Sequence, residues 1–381
     1  MIPPSQRIYS LDVFRGLTMA CMILVNNPGS WQYVYPPLQH AEWHGWTPTD
    51  LVFPFFLFAV GVAIKLSMDK YLQTAARRQM VARIIRRTVI LFAIGLLLNG
   101  AFEFDLSTWR IPGVLQRIAV CYFFASLLYI AVSERRDGNV VTRAAPIAWT
   151  FAGLLVLYVV LMKFVPVPGY GAGQLGSPEG NLAGYIDRHV FGPHVWEEAK
   201  TWDPEGILST LPAIATVLSG VLCGWWLRSN DNRSHVFRGL LIAGVVSVAL
   251  AYLVNPVFPI NKKIWTSSYV LLSSGLAMIV LGLIYYYADI KGKRTGTMPF
   301  VIFGSNAITA YVLSSFFGHL IGTVTFSAGG TSYSIKSYMY AALLKPVFGQ
   351  YLASLVFALL FVALWLGVIS ILYKKGIFIK V

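Results

Sequence analysis

Asn26, Asn27, His40, His44 and Asp50 lie in one short stretch of the chain, and together they form an acid–base set. An imidazole titrates near neutral pH and serves as a general base. A carboxylate orients it, and side-chain amides donate hydrogen bonds. His40 and His44 are four apart, a spacing that on a helix would put both on one face for a zinc ion. Pro36-Pro37 before them and Gly45-Trp46-Thr47-Pro48 after them argue against a helix there, and the stretch offers no third ligand. No metal is therefore expected. Asp50 follows Thr47-Pro48-Thr49 and precedes an apolar run. Two readings stand for it: an anion at a helix N-terminus, or a functional carboxylate.

Other ionisable residues sit at or inside apolar runs: Asp12, Arg15, Glu103, Asp105, Arg117, Asp203 and Glu205. Charge at membrane depth is costly, so each is a candidate for function. Asp12 and Arg15, three apart, can equally pair with each other. Residues 166–204 bring Tyr170, Tyr185, Trp196 and Trp202 together with Glu197, Glu198 and Asp203. That mixture suits a sugar and equally suits an interfacial aromatic belt. Gly171-Ala172-Gly173 has no helix after it and makes no phosphate cradle. The Arg77–Arg87 cluster reads as an anchor on anionic lipid, or as a landing patch for a phosphorylated donor. Cys21, Cys121 and Cys223 lie in apolar runs and read as small buried hydrophobes.

The elements that must carry these groups follow from composition. Of 381 residues, 56% are hydrophobic and 12% charged, which excludes a soluble enzyme, a disordered chain and a nucleic-acid-binding module. A bilayer crossing needs about 20 apolar residues in a helix. Ten segments meet this: 11–27, 50–68, 86–102, 113–133, 145–165, 205–227, 236–255, 267–287, 298–318 and 350–373. The expected fold is an all-α polytopic membrane protein, a single domain over 1–381, with long loops at 28–49, 166–204 and 319–349. An amphipathic stretch near 333–349 is expected at the interface.

The net charge of +14 supplies orientation. Ten crossings put 20 basic residues on the side of the termini, eight on the other side, and Arg15 and Arg117 within spans. Basic residues resist translocation, so both termini are expected to be cytoplasmic and the three long loops outside.

The chain resembles the heparan-α-glucosaminide N-acetyltransferase family and its bacterial relatives within the transmembrane acyltransferases. The stretches that carry the likeness are Ser10-Leu11-Asp12-Val13-Phe14-Arg15-Gly16, Leu24-Val25-Asn26, and the run from His40-Ala41-Glu42-Trp43-His44 through Asp50-Leu51-Val52-Phe53-Pro54. Further on come Ile111–Arg117, Ala183–Arg188, Asp203-Pro204-Glu205-Gly206-Ile207-Leu208 and Ile260-Asn261-Lys262-Lys263-Ile264-Trp265. Seven motifs in the family's order run from the first span to the ninth.

The resemblance implies transfer of acetyl from cytosolic acetyl-CoA, a co-substrate, to the amine of a glucosamine on the far side of the membrane, with no metal. It implies that His40 and Asn26 are the catalytic His and Asn; by the logic of a triad, Asp50 is expected to orient His40 and stabilise its imidazolium. On this reading Asp12, Arg15 and Arg117 are the candidates on the cofactor side. Trp43, Trp202, Asp203 and Glu205 are the candidates for the acceptor sugar. His40 is expected to act as base, or as the nucleophile of an acetyl-imidazole. The implied partners are acetyl-CoA, an amino-sugar acceptor, the lipid bilayer and a second copy in a homodimer, with no nucleic acid. The expected location is a bacterial inner membrane, since the lumenal N-terminal extension of the animal enzymes is expected to be missing. On physics alone a secondary sugar transporter fits ten spans and buried charges equally well, and an O-acyltransferase acting on a glycan hydroxyl is the intermediate reading.

Overall fold

In hydrocarbon a backbone can bond only to itself, so long apolar runs fold as helices. The computed structural model describes residues 8–101, 105–136, 139–229, 231–328 and 330–379. Arg7, Glu103 and Lys380, named above among the charges or counted with them, lie outside the described residues. The helices are α1 (Tyr9–Asn26), α2 (Val52–Thr74), α3 (Arg77–Asn99), α4 (Val114–Val132), α5 (Ala144–Phe164), α6 (Leu182–Phe191), α7 (Thr210–Ser229), α8 (Arg233–Val254), α9 (Ser267–Tyr285), α10 (Met298–Ser305), α11 (Ala307–Thr323), α12 (Ile335–Tyr338), α13 (Lys345–Phe348) and α14 (Gln350–Lys374).

Each of the ten expected segments contains a helix. Among the described residues, seven helices are long and apolar enough to cross a bilayer, and α10 with α11 makes an eighth if that pair is one span. α1 and α3 fall short of that measure because Asp12 and Arg15 dilute the first, and five arginines fill the first half of the second. The ninth expected span is broken, with an 84° bend between α10 and α11. Asn306 at the bend holds the C-terminal tail: its amide donates to the Ile377 carbonyl (3.0 Å) and its Oδ1 accepts from Ile379 N–H (3.0 Å). The stretch near 333–349 folds as α12, a π-helical stretch Met339–Leu344, and α13.

The all-α expectation needs one correction. Two antiparallel hairpins join helices, β1 (Ser133–Arg136) with β2 (Asn139–Thr142), and β3 (Thr325–Ala328) with β4 (Thr331–Ser334). These connectors leave the apolar helices and satisfy their backbone groups across the hairpin instead of along a helix.

The helices meet backbone to backbone through glycine. A Cβ on Gly61 of α2 would stand 1.9 Å from the Val217 carbonyl oxygen, and one on Gly220 of α7 2.0 Å from that of Phe58. Gly16 of α1 and Gly304 of α10 touch in the same way. Small residues at such crossings are how helices associate where lipid is as apolar as leucine. Leu57, Phe58, Val217, Leu218, Tyr269 and Leu272 fill the centre, while Val156 of α5, Leu253 of α8 and Leu359 of α14 stay exposed, as lipid-facing side chains would be.

On one end of the bundle, loop 27–51 folds against loop 255–266. Gly45 N–H donates to the Ile260 carbonyl (2.8 Å), and Gly45 pairs with Asn261 in a parallel bridge. That junction brings together residues more than 200 positions apart in sequence.

Candidate active site

The centre grows from a short 3-10 turn, Pro48–Leu51, that leads into α2. Pro48 suits the first turn because its missing N–H costs nothing there. Asp50 stands three residues after Thr47 and reaches back: its Oδ2 accepts from Thr47 N–H (2.9 Å), Thr47 Oγ1 (3.2 Å) and Ala41 N–H (3.1 Å). The other oxygen, Oδ1, meets His40 Nδ1 at 2.6 Å. The structure thus shows the turn-capping anion read from sequence in one oxygen, while the other meets the imidazole. The carboxylate is 1% exposed, and the Tyr269 hydroxyl fixes its backbone by donating to the Asp50 carbonyl oxygen. With Nδ1–H given to Asp50, the tautomer leaves the lone pair on Nε2, and the half-exposed imidazole can use it outward.

A third residue joins them. Lys262 Nζ lies 3.2 Å from His40 Nδ1, 3.4 Å from Nε2 and 3.8 Å from Asp50 Oδ1. Its loop is tightly held. Asn261 Oδ1 accepts from Ile264 N–H (3.1 Å), Trp265 N–H donates to the Lys262 carbonyl (3.0 Å), and Thr266 N–H to that of Asn261 (3.0 Å). Trp265 is wholly buried with φ +50°, a conformation a bulky side chain adopts only where its surroundings impose it. Its indole donates to Thr216 Oγ1 (3.1 Å) and packs against Phe53 and Tyr269. Burial pulls the proton affinity of Lys262 below the ordinary lysine value. Asp50 and Glu205 act to restore it, while Lys263 and Arg117 oppose them.

Around this centre the expected residues fall into three groups. Trp43 and Trp202 meet edge to face at 5.3 Å, the Trp43 indole donates to the Leu175 carbonyl (2.9 Å), and Lys263 lies over the Trp202 ring. Asp203 and Glu205 are gripped from inside the protein. Arg110 binds both Asp203 oxygens (2.9 and 2.7 Å) and Glu205 (2.6 Å), and Trp196 and Glu205 N–H complete the shell of Asp203. Arg117 is 2% exposed beneath the site, stacked on Trp265 and donating to the Gly206 carbonyl and Ser209.

The remaining candidates make no hydrogen bond to His40 or Asp50 among the described residues. Asn26 ends α1 with its side chain exposed and, among the described residues, without a hydrogen-bond partner. It is not in hydrogen-bond contact with His40. Asp12 and Arg15 pair at 3.7 Å, about 20 Å along α1 from Asn26. Arg15 also donates to the Gly304 carbonyl at the end of α10. His44 faces Asn261 (3.4 Å), and among the described residues no group of three His, Cys, Asp or Glu could hold a metal.

Sequence reasoning assigned no role to Lys262, Arg110 or Tyr269. The signal for Lys262 was its place in Ile260–Trp265, a stretch that carries the family likeness.

Fold and centre define a class: a helical membrane protein with a His–Asp pair held by loops at one end of the bundle. The chain belongs to the family described as Domain of unknown function (DUF5009), whose model matches residues 7–220. It is 33% identical over 427 aligned residues to the heparan-alpha-glucosaminide N-acetyltransferase of Homo sapiens, covering 100% of this chain and 60% of that protein. The protein of the same name from Mus musculus is 30% identical over 424 residues, covering 99% of this chain and 61% of its own. The chain thus spans about 60% of the length of these relatives, and the resemblance read from its motifs is borne out.

Proposed function

We propose that the protein is a transmembrane N-acetyltransferase that moves acetyl from cytosolic acetyl-CoA to the amine of a glucosamine-type sugar on the opposite side. The observation that carries this is the His40–Asp50 pair at 2.6 Å, its carboxylate fixed by three further donors. An amine attacks a thioester only when neutral, and its proton must leave as the C–N bond forms. His40 Nε2 takes that proton, Asp50 stabilises the imidazolium, and the proton passes to the departing CoA sulfur. The products are the acetamide and CoA thiol. Asn26, with its amide uncommitted, is the proposed donor to the carbonyl oxygen. Trp43, partly exposed, offers an apolar face for a sugar ring, and the buried Trp202 backs it. Asp203 and Glu205 serve the acceptor side through Arg110, shaping the wall on which Trp202 stands. Asp12 and Arg15, at the other end of α1, belong to the cofactor side.

The proposal includes ten crossings with cytoplasmic termini and a bacterial inner-membrane setting, supported by the 20 basic residues that ten spans gather on one side. The homodimer rests on the family resemblance alone.

The test uses the full chain in sealed liposomes, with acetyl-CoA on one side and glucosamine on the other. N-acetylglucosamine should form with wild type and not with His40→Ala. Equal product from both would defeat the proposal. Sugar uptake without CoA would point to a transporter, and an O-acetyl product to an O-acyltransferase.

A further inference from the structure

Lys262 is more than a counter-ion to Asp50. That carboxylate already has His40 Nδ1, Thr47 N–H, Thr47 Oγ1 and Ala41 N–H around it. Lys262 stands farther off, at 3.8 Å. An ammonium carries three donors and no acceptor. His40 Nδ1 spends its proton on Asp50 and so cannot accept from Lys262. What remains for Lys262 is one long contact, 3.4 Å to Nε2. Among the described residues, then, a mostly buried Lys262 with unspent N–H donors is held against the imidazole, 3.2 Å from Nδ1 and 3.4 Å from Nε2, within reach of an acyl group at Nε2. The turn closed by Asn261, Trp265 and Thr266 keeps it there.

We propose that Lys262 is a catalytic residue that donates to the carbonyl oxygen of the acyl group as it is attacked next to His40 Nε2. As the amine nitrogen bonds to the carbonyl carbon, the C=O electron pair moves to oxygen and the new alkoxide meets the ammonium. When the C–S bond breaks, the pair returns and the proton held by His40 goes to sulfur. Lys262 keeps its own protons throughout, so its part is electrostatic and worth most where water is excluded. Asn26 approaches the same oxygen from the end of α1 in the reading above, and Lys262 supplies the charge that a neutral amide lacks.

This inference rests on the acetyltransferase reading, and the experiment separates the two. The full-length protein in acetyl-CoA liposomes is assayed for N-acetylglucosamine itself, since added amines can also be acetylated and release CoA. Against active wild type and inactive His40→Ala, Lys262→Met should lower kcat by about 10²–10³-fold, the usual loss of one such donor, with KM for glucosamine changed only a few-fold. Lys262→Gly should regain N-acetylglucosamine formation with propylammonium and not with propanol of the same shape. The rescue also covers the case in which the Met variant fails to fold. Wild-type kcat in Lys262→Met, or equal rescue by propanol, overturns the role of Lys262 while the acetyltransferase reading stands. No product from wild type overturns both.

Discussion

Arg110 holds Asp203 through two parallel bonds, Nε to Oδ2 at 2.9 Å and Nη2 to Oδ1 at 2.7 Å, across 93 residues of sequence. The Asp203 side chain is fully buried, and Nη2 also reaches Glu205 at 2.6 Å. This fork fastens the segment after α3 to the segment before α7, beside Trp202. Removing one partner of a buried pair strands the other charge, which typically costs about 3–5 kcal/mol. Arg110→Met is therefore expected to lower the thermal midpoint in detergent sharply. Arg110→Lys should recover only part of the loss, because a point charge cannot form the planar fork. An unchanged midpoint in Arg110→Met would show that the fork is not structural.

Asp50 is expected to set the tautomer of His40. An amide in its place would offer either an oxygen or an NH2 group to Nδ1 and would lose the charge that steadies the imidazolium. In triads the same change costs about 10⁴ in kcat with geometry intact. Asp50→Asn in the liposome assay should approach that loss while KM for glucosamine moves little. Because Oδ2 also caps the turn at Thr47, a modest fall in thermal midpoint should accompany it. Retention of most of the kcat would remove Asp50 from the mechanism.

How far the sequence reaches depends on whether a feature is local. Apolar runs are local, so every expected segment holds a helix. The 84° bend at Asn306 was hidden because Gly304-Ser305-Asn306 is only a brief polar interruption between two apolar runs, too short to end a span by hydropathy. The β1–β2 hairpin was hidden because its pairing, Ser133 with Thr142 and Glu134 with Val141, is written in a short connector with no long alternating run. His40 and Asp50, ten residues apart, could be read as a pair. Lys262 is 222 residues from His40 and entered the reading only as a basic residue outside and as part of a likeness motif, with no role assigned. Its place depends on the Gly45–Asn261 bridge, which no local pattern announces.

Glycine contacts predict a contrast within one chain. On Gly61 a methyl would meet the Val217 carbonyl oxygen at 1.9 Å, backbone that cannot step aside without moving α7. Gly61→Ala should therefore destabilise by about 1–3 kcal/mol or more, as overpacking does. Gly153 of α5 is exposed and has nothing within 4 Å of the added carbon. There alanine should be neutral, or stabilise by about 0.5–1 kcal/mol through helix propensity. Thermal midpoints of the two variants in the same detergent give the comparison, and equal midpoints would mean that α2 and α7 are not in backbone contact.

Asp187 supplies a pH dependence of stability with a definite sign. It sits on α6, 1% exposed, its oxygens accepting from Ile207 N–H (2.9 Å) and Asp203 N–H (3.2 Å). Burial pushes its carboxyl up from 3.8 to about 6. The two N–H groups and Arg117 oppose that rise, and the neighbouring Asp203 charge adds to it. The folded chain thus binds this proton more tightly than the unfolded chain. A group shifted in that direction contributes stability fully below the unfolded value, and the contribution fades as pH rises through the folded value. The window is therefore about pH 4 to 6, with stability from Asp187 falling as pH increases. Asp187→Asn cannot titrate, and its NH2 group can no longer accept from one of the two backbone N–H groups, so its midpoint should be lower at every pH. The gap between wild type and variant should be widest near pH 4 and narrow toward pH 7. Comparing the two strains of the protein across that range cancels the titration of every other carboxylate. Parallel curves would mean that Asp187 stays ionised in the folded chain.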